Sequence, residues 1–78
     1  MSAATVAARL TPDPATQSEI VRLLDRNQYT DRELEAVLLV IEVFLEGFRE
    51  GGGEVTTEIL MRAGAVGVDT VWAMRRRP

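Results

Sequence analysis

Hydrophobic residues recur at helical spacing over one long stretch in the middle of the chain, residues 30–50. These positions follow the i, i+3, i+4, i+7 rule of a helix with a buried side, and they are Leu34, Val37, Leu38, Ile41, Phe44, Leu45 and Phe48. A second apolar stripe comprises Ala36, Val40, Val43 and Gly47. The charged residues share the narrow side that remains. The pattern therefore predicts a helix that neighbouring elements cover on several sides.

The ends of this helix carry signals of their own. Thr30 and Glu33 have the spacing of a capping box, in which each side chain accepts a hydrogen bond from the backbone N–H of the other residue. The three glycines at 51–53 predict the other end, because glycine readily adopts the left-handed conformations that close a helix. We therefore expect a central helix over about residues 31–50.

The chain before the central helix predicts one short helix and a tail. Residues 14–26 have an apolar face, and two starts are open for this helix. Asp13 can cap it with Pro14 at the first helical position, or Thr16 can open a capping box with Glu19. Residues 1–12 are rich in small side chains and predict a flexible N-terminal tail. The alternative for this segment is an arm that docks on a partner chain.

The chain after the glycines predicts two more short helices. A threonine at 56 or 57 can cap the first of them. The segment GAVG at 64–67 is expected to break it, because glycine is unfavourable inside helices. A last helix is expected over 70–77. The overall prediction is an all-α fold, with a single helical domain over residues 13–78 that forms a small bundle of three to four helices around the central one.

The residues from 57 to 76 read TEILMRAGAVGVDTVWAMRR: a short helix, a turn of small residues around Ala65, and a second helix that opens with Thr-Val. This segment resembles the helix-turn-helix of bacterial DNA-binding regulators. The resemblance implies that four side chains pack inward, namely Leu60, Val66, Val71 and Met74. It also implies a small DNA-binding regulator that contacts duplex DNA through Thr70, Trp72, Arg75, Arg76 and Arg77.

The chain contains neither cysteine nor histidine. That excludes disulfides, thiol nucleophiles, a Ser-His-Asp triad and the usual zinc sites. Glu42 is a lone carboxylate in the central apolar run, and no second group is spaced to act with it, so we expect it on the exposed side and expect no enzyme. No cofactor is expected. Glu42 also interrupts an apolar run that is too short for a membrane span, and a cytoplasmic protein is expected.

The net charge of −3 conceals an uneven distribution of charge along the chain. Residues 31–58 are strongly acidic, whereas residues 59–78 are basic and include three consecutive arginines at 75–77. The C-terminal end is therefore the part that attracts an anionic partner, which agrees with DNA binding.

The acidic balance of the whole chain favours a different function. A protein-binding module, such as an inhibitor, an antitoxin-like protein or an adaptor, would act through Trp72 or through the acidic face of the central helix. Phe44 and Phe48 are further candidate partner-binding residues. Since short neighbouring helices cover a long apolar helix poorly, the chain is also expected to form a homodimer.

Overall fold

Four α-helices make up the regular structure of residues 1–76, the part of the chain that this computed structural model describes. They are α1 (Ala3–Leu10), α2 (Pro14–Arg26), α3 (Asp31–Glu50) and α4 (Thr57–Arg75). The all-α prediction is confirmed, and α3 is the predicted central helix.

The helix ends form largely as the sequence signals indicate. Thr30 caps α3 through a complete capping box: Thr30 Oγ1 accepts from the backbone N–H of Glu33 at 3.2 Å, and Glu33 Oε1 accepts from that of Thr30 at 2.9 Å. The chain turns after α3 at Gly52, whose φ of +87° suits glycine. Of the two open starts for α2, the structure uses Asp13 as the cap with Pro14 at the first position.

The N-terminal segment is a helix and not the flexible tail that its composition predicted. Ser2 caps α1 by accepting from the backbone N–H of Thr5 at 3.1 Å. Val6 is fully buried and Ala7 is 1% exposed. An isolated eight-residue helix would be marginal in water, so this burial against the rest of the fold is what stabilises α1.

The segment from 57 to 75 is one continuous helix, and the predicted break at 64–67 is wrong. The helix-turn-helix hairpin therefore does not form. Both glycines of this segment are buried on the side of α4 that contacts the other helices. A Cβ on Gly64 would lie 3.3 Å from Leu23 Cδ2, and one on Gly67 would lie 3.2 Å from the carbonyl oxygen of Val37. These glycines allow close helix packing, which offsets their low helix propensity.

The helices form two layers. α3 and α4 run antiparallel and are tied at both ends, by the short loop 51–56 and by a contact between Glu33 and Arg75. α1 and α2 pack together and cover one face of this pair. The core between the layers consists of Val6, Ala7, Ile20, Leu24, Leu34, Val37, Leu38, Ile41, Leu45, Leu60, Ala63 and Val71. The molecule is only 17 Å thick along its shortest axis, which leaves the opposite face of the α3–α4 layer uncovered.

Candidate functional site

Arg75, a predicted DNA-contacting residue, is held by other side chains of the same protein. Its guanidinium donates from Nε and from one Nη to the two carboxylate oxygens of Glu33, the second at 2.7 Å. The same group lies 4.7 Å from the ring centre of Trp72 and 5.1 Å from that of Tyr29. A bidentate ion pair of this kind requires the planar guanidinium of arginine, which can also form cation–π contacts with aromatic rings. Arg75 therefore closes the α3–α4 hairpin.

The electrostatics of this cluster follow from the same contact. The hydrogen bonds from Arg75, aided by the backbone N–H of Thr30, lower the pKa of Glu33 from its ordinary value of 4.5 to about 2. The same pair raises the pKa of Arg75. Burial raises the pKa of the Tyr29 hydroxyl, while the Arg75 charge acts in the opposite direction. The group is thus a charged structural clamp at neutral pH.

The other residues of the predicted DNA site do not form one basic surface. Trp72 is 38% exposed, and its Nε1 donates to Asn27 Oδ1 at 2.6 Å, so the indole ties α4 to the end of α2. The hydroxyl of Thr70 donates to the carbonyl oxygen of Val66 at 2.7 Å. Arg76 is exposed and borders the same shallow cavity as Asp69, a residue of opposite charge. Arg77 lies outside the described residues.

A different surface carries the exposed apolar residues. The large hydrophobic side chains with high exposure are Leu39 (63%), Val43 (61%), Val66 (40%), Trp72 (38%) and Met74 (57%). All except Trp72 lie on the side of the α3–α4 layer that faces away from α1 and α2, and we call this surface the open face. Such an apolar patch on a small protein is typical of an interaction surface.

The helical spacing makes the open face continuous. On α3, Leu39 and Val43 are four residues apart and therefore adjacent on the helix surface. On α4, Val66 and Met74 are eight residues apart on the same side, with the half-buried Thr70 between them. Met74 and Ala36 border one shallow cavity of about 220 Å³ between the two helices. The two apolar rows therefore lie side by side.

Acidic residues border the open face along α3. Glu35, Glu42 and Glu46 are exposed and lie three or four residues from Leu39 or Val43. We call these three residues the acidic row. Glu42 thus lies on the exposed side of α3, as its sequence context predicted.

The predicted partner-binding phenylalanines are used inside the fold. Phe44 is half-buried and packs against the core. Phe48 is half-buried as well, and its ring lies so close to Gly53 that a Cβ on this residue would overlap it. The packed positions assigned to Val66 and Met74 are wrong, because both side chains are exposed. The assignments of Leu60 and Val71 as packed residues are confirmed.

The sequence pattern did contain a sign of the open face. Val43 belongs to the second apolar stripe of the central helix. Leu39 lies four residues after Glu35 and three before Glu42, so it is an apolar residue inside the charged row. Single exposed apolar residues are common, but Leu39 next to Val43 forms part of a contiguous apolar patch, which is the informative feature.

Other kinds of site find little support in the described part of the chain. Within residues 1–76, no group of three or more acidic side chains is placed to hold a metal ion. None of the four helices is long and apolar enough to cross a membrane. Comparison with protein-family models, with curated proteins and with solved structures gives no match.

Proposed function

We propose that this protein is a non-enzymatic protein-interaction domain that binds a partner protein through its open face. The observation that carries the proposal is the placement of Leu39, Val43, Val66 and Met74 on the uncovered side of the α3–α4 layer. Burial of such side chains is the main favourable term in protein association. A rigid pair of helices also offers them in a fixed arrangement, which lowers the entropic cost of binding.

The chemistry of the surface limits the kind of partner. The centre of the open face is apolar, and the acidic row of Glu35, Glu42 and Glu46 borders it along α3. Protein interfaces commonly combine an apolar centre with a polar rim, and complementary charge speeds association. The partner is therefore a protein with an apolar patch and basic residues at the edge of that patch. Inhibitors, antitoxin-like proteins and adaptors all belong to this class of function.

Binding of duplex DNA is the second candidate function. It is favoured by the exposed Arg76, which stands in the sequence between two further arginines. Against it, Arg75 is engaged by Glu33, and the helix-turn-helix hairpin is absent from the described residues. DNA binding predicts a mobility shift at low salt that weakens steeply as salt is added and that is lost on Arg76→Ala.

Affinity purification from the source cells, compared between variants by quantitative mass spectrometry, tests the first proposal. The double substitution Leu39→Glu and Val43→Glu places charge on the α3 side of the open face. The matched control is Ala15→Glu with Ser18→Glu, which adds the same charge to exposed positions of α2. We expect the first variant to lose a specific co-purifying protein, or the second copy of the chain, and the control to retain it. Equal recovery in both variants, together with a salt-dependent DNA shift, would favour the second candidate.

A further inference from the structure

We propose that the short loop between α2 and α3, residues 27–30, is a hinge through which two copies of the chain exchange their α1–α2 hairpins. In this exchanged dimer, α2 and α3 of each copy form one straight helix. The α1–α2 hairpin of each copy then packs on the α3–α4 layer of the other. The open face takes no part in the exchange, which is therefore independent of the proposed function.

Gln28 holds the hinge in a strained conformation. Its φ is +49°, and among residues 1–76 it is the one non-glycine residue with a positive φ. The left-handed region is unfavourable for a residue with a Cβ, and glutamine lacks the short polar side chain that makes it tolerable for asparagine and aspartate. Strain of this kind persists only where the surrounding structure imposes it. A right-handed helical conformation at Gln28 would relieve it.

The sequence allows α2 and α3 to join into one helix. Neither proline nor glycine occurs from residue 15 to residue 46. The hinge itself reads NQYT, in which glutamine is a good helix former and the other three residues are only moderately unfavourable. Short hinge loops under strain are a known route to the exchange of elements between copies. Local sequence therefore permits a continuous helix over residues 14–50.

Straightening the hinge costs little packing between the two helices that it joins. α2 and α3 hardly contact each other, whereas α1 packs mainly against α2 and α3 mainly against α4. The contacts that straightening breaks within one chain are those of α1 with α3 and of α2 with α4. A second copy restores the same contacts in the exchanged dimer, so the same core is buried in both forms. The conformation of the hinge and the protein concentration then decide between them.

Contacts with the end of α4 keep the hinge bent in the single chain. Trp72 Nε1 donates to Asn27 Oδ1 at 2.6 Å, and the Arg75 guanidinium donates to the carbonyl oxygen of Gln28 at 3.5 Å. The capping box at Thr30 also requires a break between α2 and α3, because in a continuous helix the Thr30 N–H would bond to a carbonyl oxygen of α2. These exposed hydrogen bonds oppose the strain at Gln28 and favour the single chain at low concentration.

Two substitutions of Gln28 with opposite effects test the hinge. Gln28→Gly removes the strain of the bent form and disfavours the continuous helix. Gln28→Ala keeps the strain and favours the continuous helix. Both hinges straighten in one dimer, so each effect counts twice. Each full-length variant is refolded from urea at about 1 mM, so that both forms are accessible, and its dimer dissociation constant is measured by sedimentation equilibrium.

We expect the dissociation constant to be at least about tenfold lower for Gln28→Ala than for Gln28→Gly. The matched control is the pair Ser18→Ala and Ser18→Gly, at an exposed position of α2 that is helical in both forms. This pair is expected to change stability without changing the dissociation constant. Circular dichroism checks that each variant is folded. Equal constants for the two Gln28 variants, or monomers in both at about 1 mM, overturn the inference.

Crosslinking tests whether the hairpins are exchanged in the dimer. Arg9 on α1 and Glu42 on α3 are exposed and border one shallow cavity of about 240 Å³, so they lie on the two parts that separate when the hinge straightens. The chain has no cysteine of its own to interfere. Gln28→Ala is combined with Arg9→Cys and Glu42→Cys. The monomer and dimer fractions are separated and treated at once with a short bis-maleimide reagent.

On a denaturing gel, we expect the monomer fraction to give crosslinked single chains and the dimer fraction to give covalently linked pairs. The reason is that residues 9 and 42 around each cavity belong to different chains only in the exchanged dimer. A dimer fraction that gives only crosslinked single chains has the two copies side by side, and this result overturns the inference.

Discussion

The Arg75 guanidinium at the end of α4 forms a bidentate ion pair with the Glu33 carboxylate in the first turn of α3. The residues are far apart in sequence, and their contact fixes the register of the two longest helices. The same carboxylate completes the capping box with Thr30. One acidic side chain therefore stabilises both the start of α3 and its packing against α4.

This ion pair makes stability depend on pH in a defined window. Because the pKa of Glu33 falls to about 2 in the folded protein, against an ordinary value of 4.5, its stabilising contribution is complete above pH 4.5. It is lost as the pH falls from there towards 2. We expect Glu33→Gln to lower the thermal midpoint by several degrees at pH 7, with the difference from the parent chain disappearing near pH 2. Glutamine can still serve in a capping box, so the substitution removes mainly the charge.

Glu35→Gln is the control for this experiment. It removes an exposed carboxylate from the same helix but leaves the contact to Arg75 intact. Thermal unfolding followed by circular dichroism should show no comparable pH-dependent difference for it. If Glu33→Gln and Glu35→Gln behave alike between pH 2 and 7, the clamp does not contribute as described.

The close approach of α4 to α3 at Gly67 predicts opposite effects for two glycine-to-alanine substitutions. A Cβ on Gly67 would lie 3.2 Å from the backbone oxygen of Val37, which cannot move without shifting α3. We expect Gly67→Ala to destabilise the fold by roughly 1–3 kcal/mol, the usual cost of overpacking. Gly47 is exposed in α3, and a Cβ there meets nothing within 4 Å. Gly47→Ala should stabilise the fold by up to about 1 kcal/mol through helix propensity.

Urea unfolding of the two variants measures both effects. A broken α4, with a turn at 64–67, would relieve the contact at Gly67. In that case both substitutions would be neutral or stabilising.

The buried N-terminal helix predicts that a residue near the start of the chain matters for stability. Val6 is fully buried, so Val6→Ala should lower the free energy of unfolding by roughly 2 kcal/mol through lost burial and the cavity left behind. Arg9→Ala changes an exposed residue of the same helix and should stay within about 0.5 kcal/mol of the parent chain. Equal, near-zero effects in urea unfolding would show instead that residues 1–12 are a detached tail.

The central helix could be predicted because its signals are local. The capping box at Thr30, the glycines after Glu50 and the helical spacing between them all lie within one stretch of sequence. The start of α2 at Asp13 was among the predicted alternatives for the same reason.

The errors arose where contacts distant in sequence decide the structure. Gly64 and Gly67 look like breakers until the neighbours that require small residues, Leu23 and Val37, are in place. Val6 looks like part of a tail until its burial site is known. Arg75 looks like a phosphate ligand until the fold brings Glu33 to it.

The open face was missed because the apolar positions of α4 were assigned from the helix-turn-helix resemblance. With a continuous α4, Val66 and Met74 turn outward beside Leu39 and Val43. The excess of apolar side chains on α3 predicts a homodimer, and this stays a prediction.

Photo-crosslinking in the source cells tests the central claim most directly. A benzophenone amino acid is placed at Leu39, an exposed residue of the open face, and in a separate variant at Ala15, which is exposed on α2. We expect a discrete covalent adduct from position 39, either with a second copy of the chain or with one other identified protein, and no such adduct from position 15. No adduct specific to position 39, or an adduct to nucleic acid in place of protein, would contradict it.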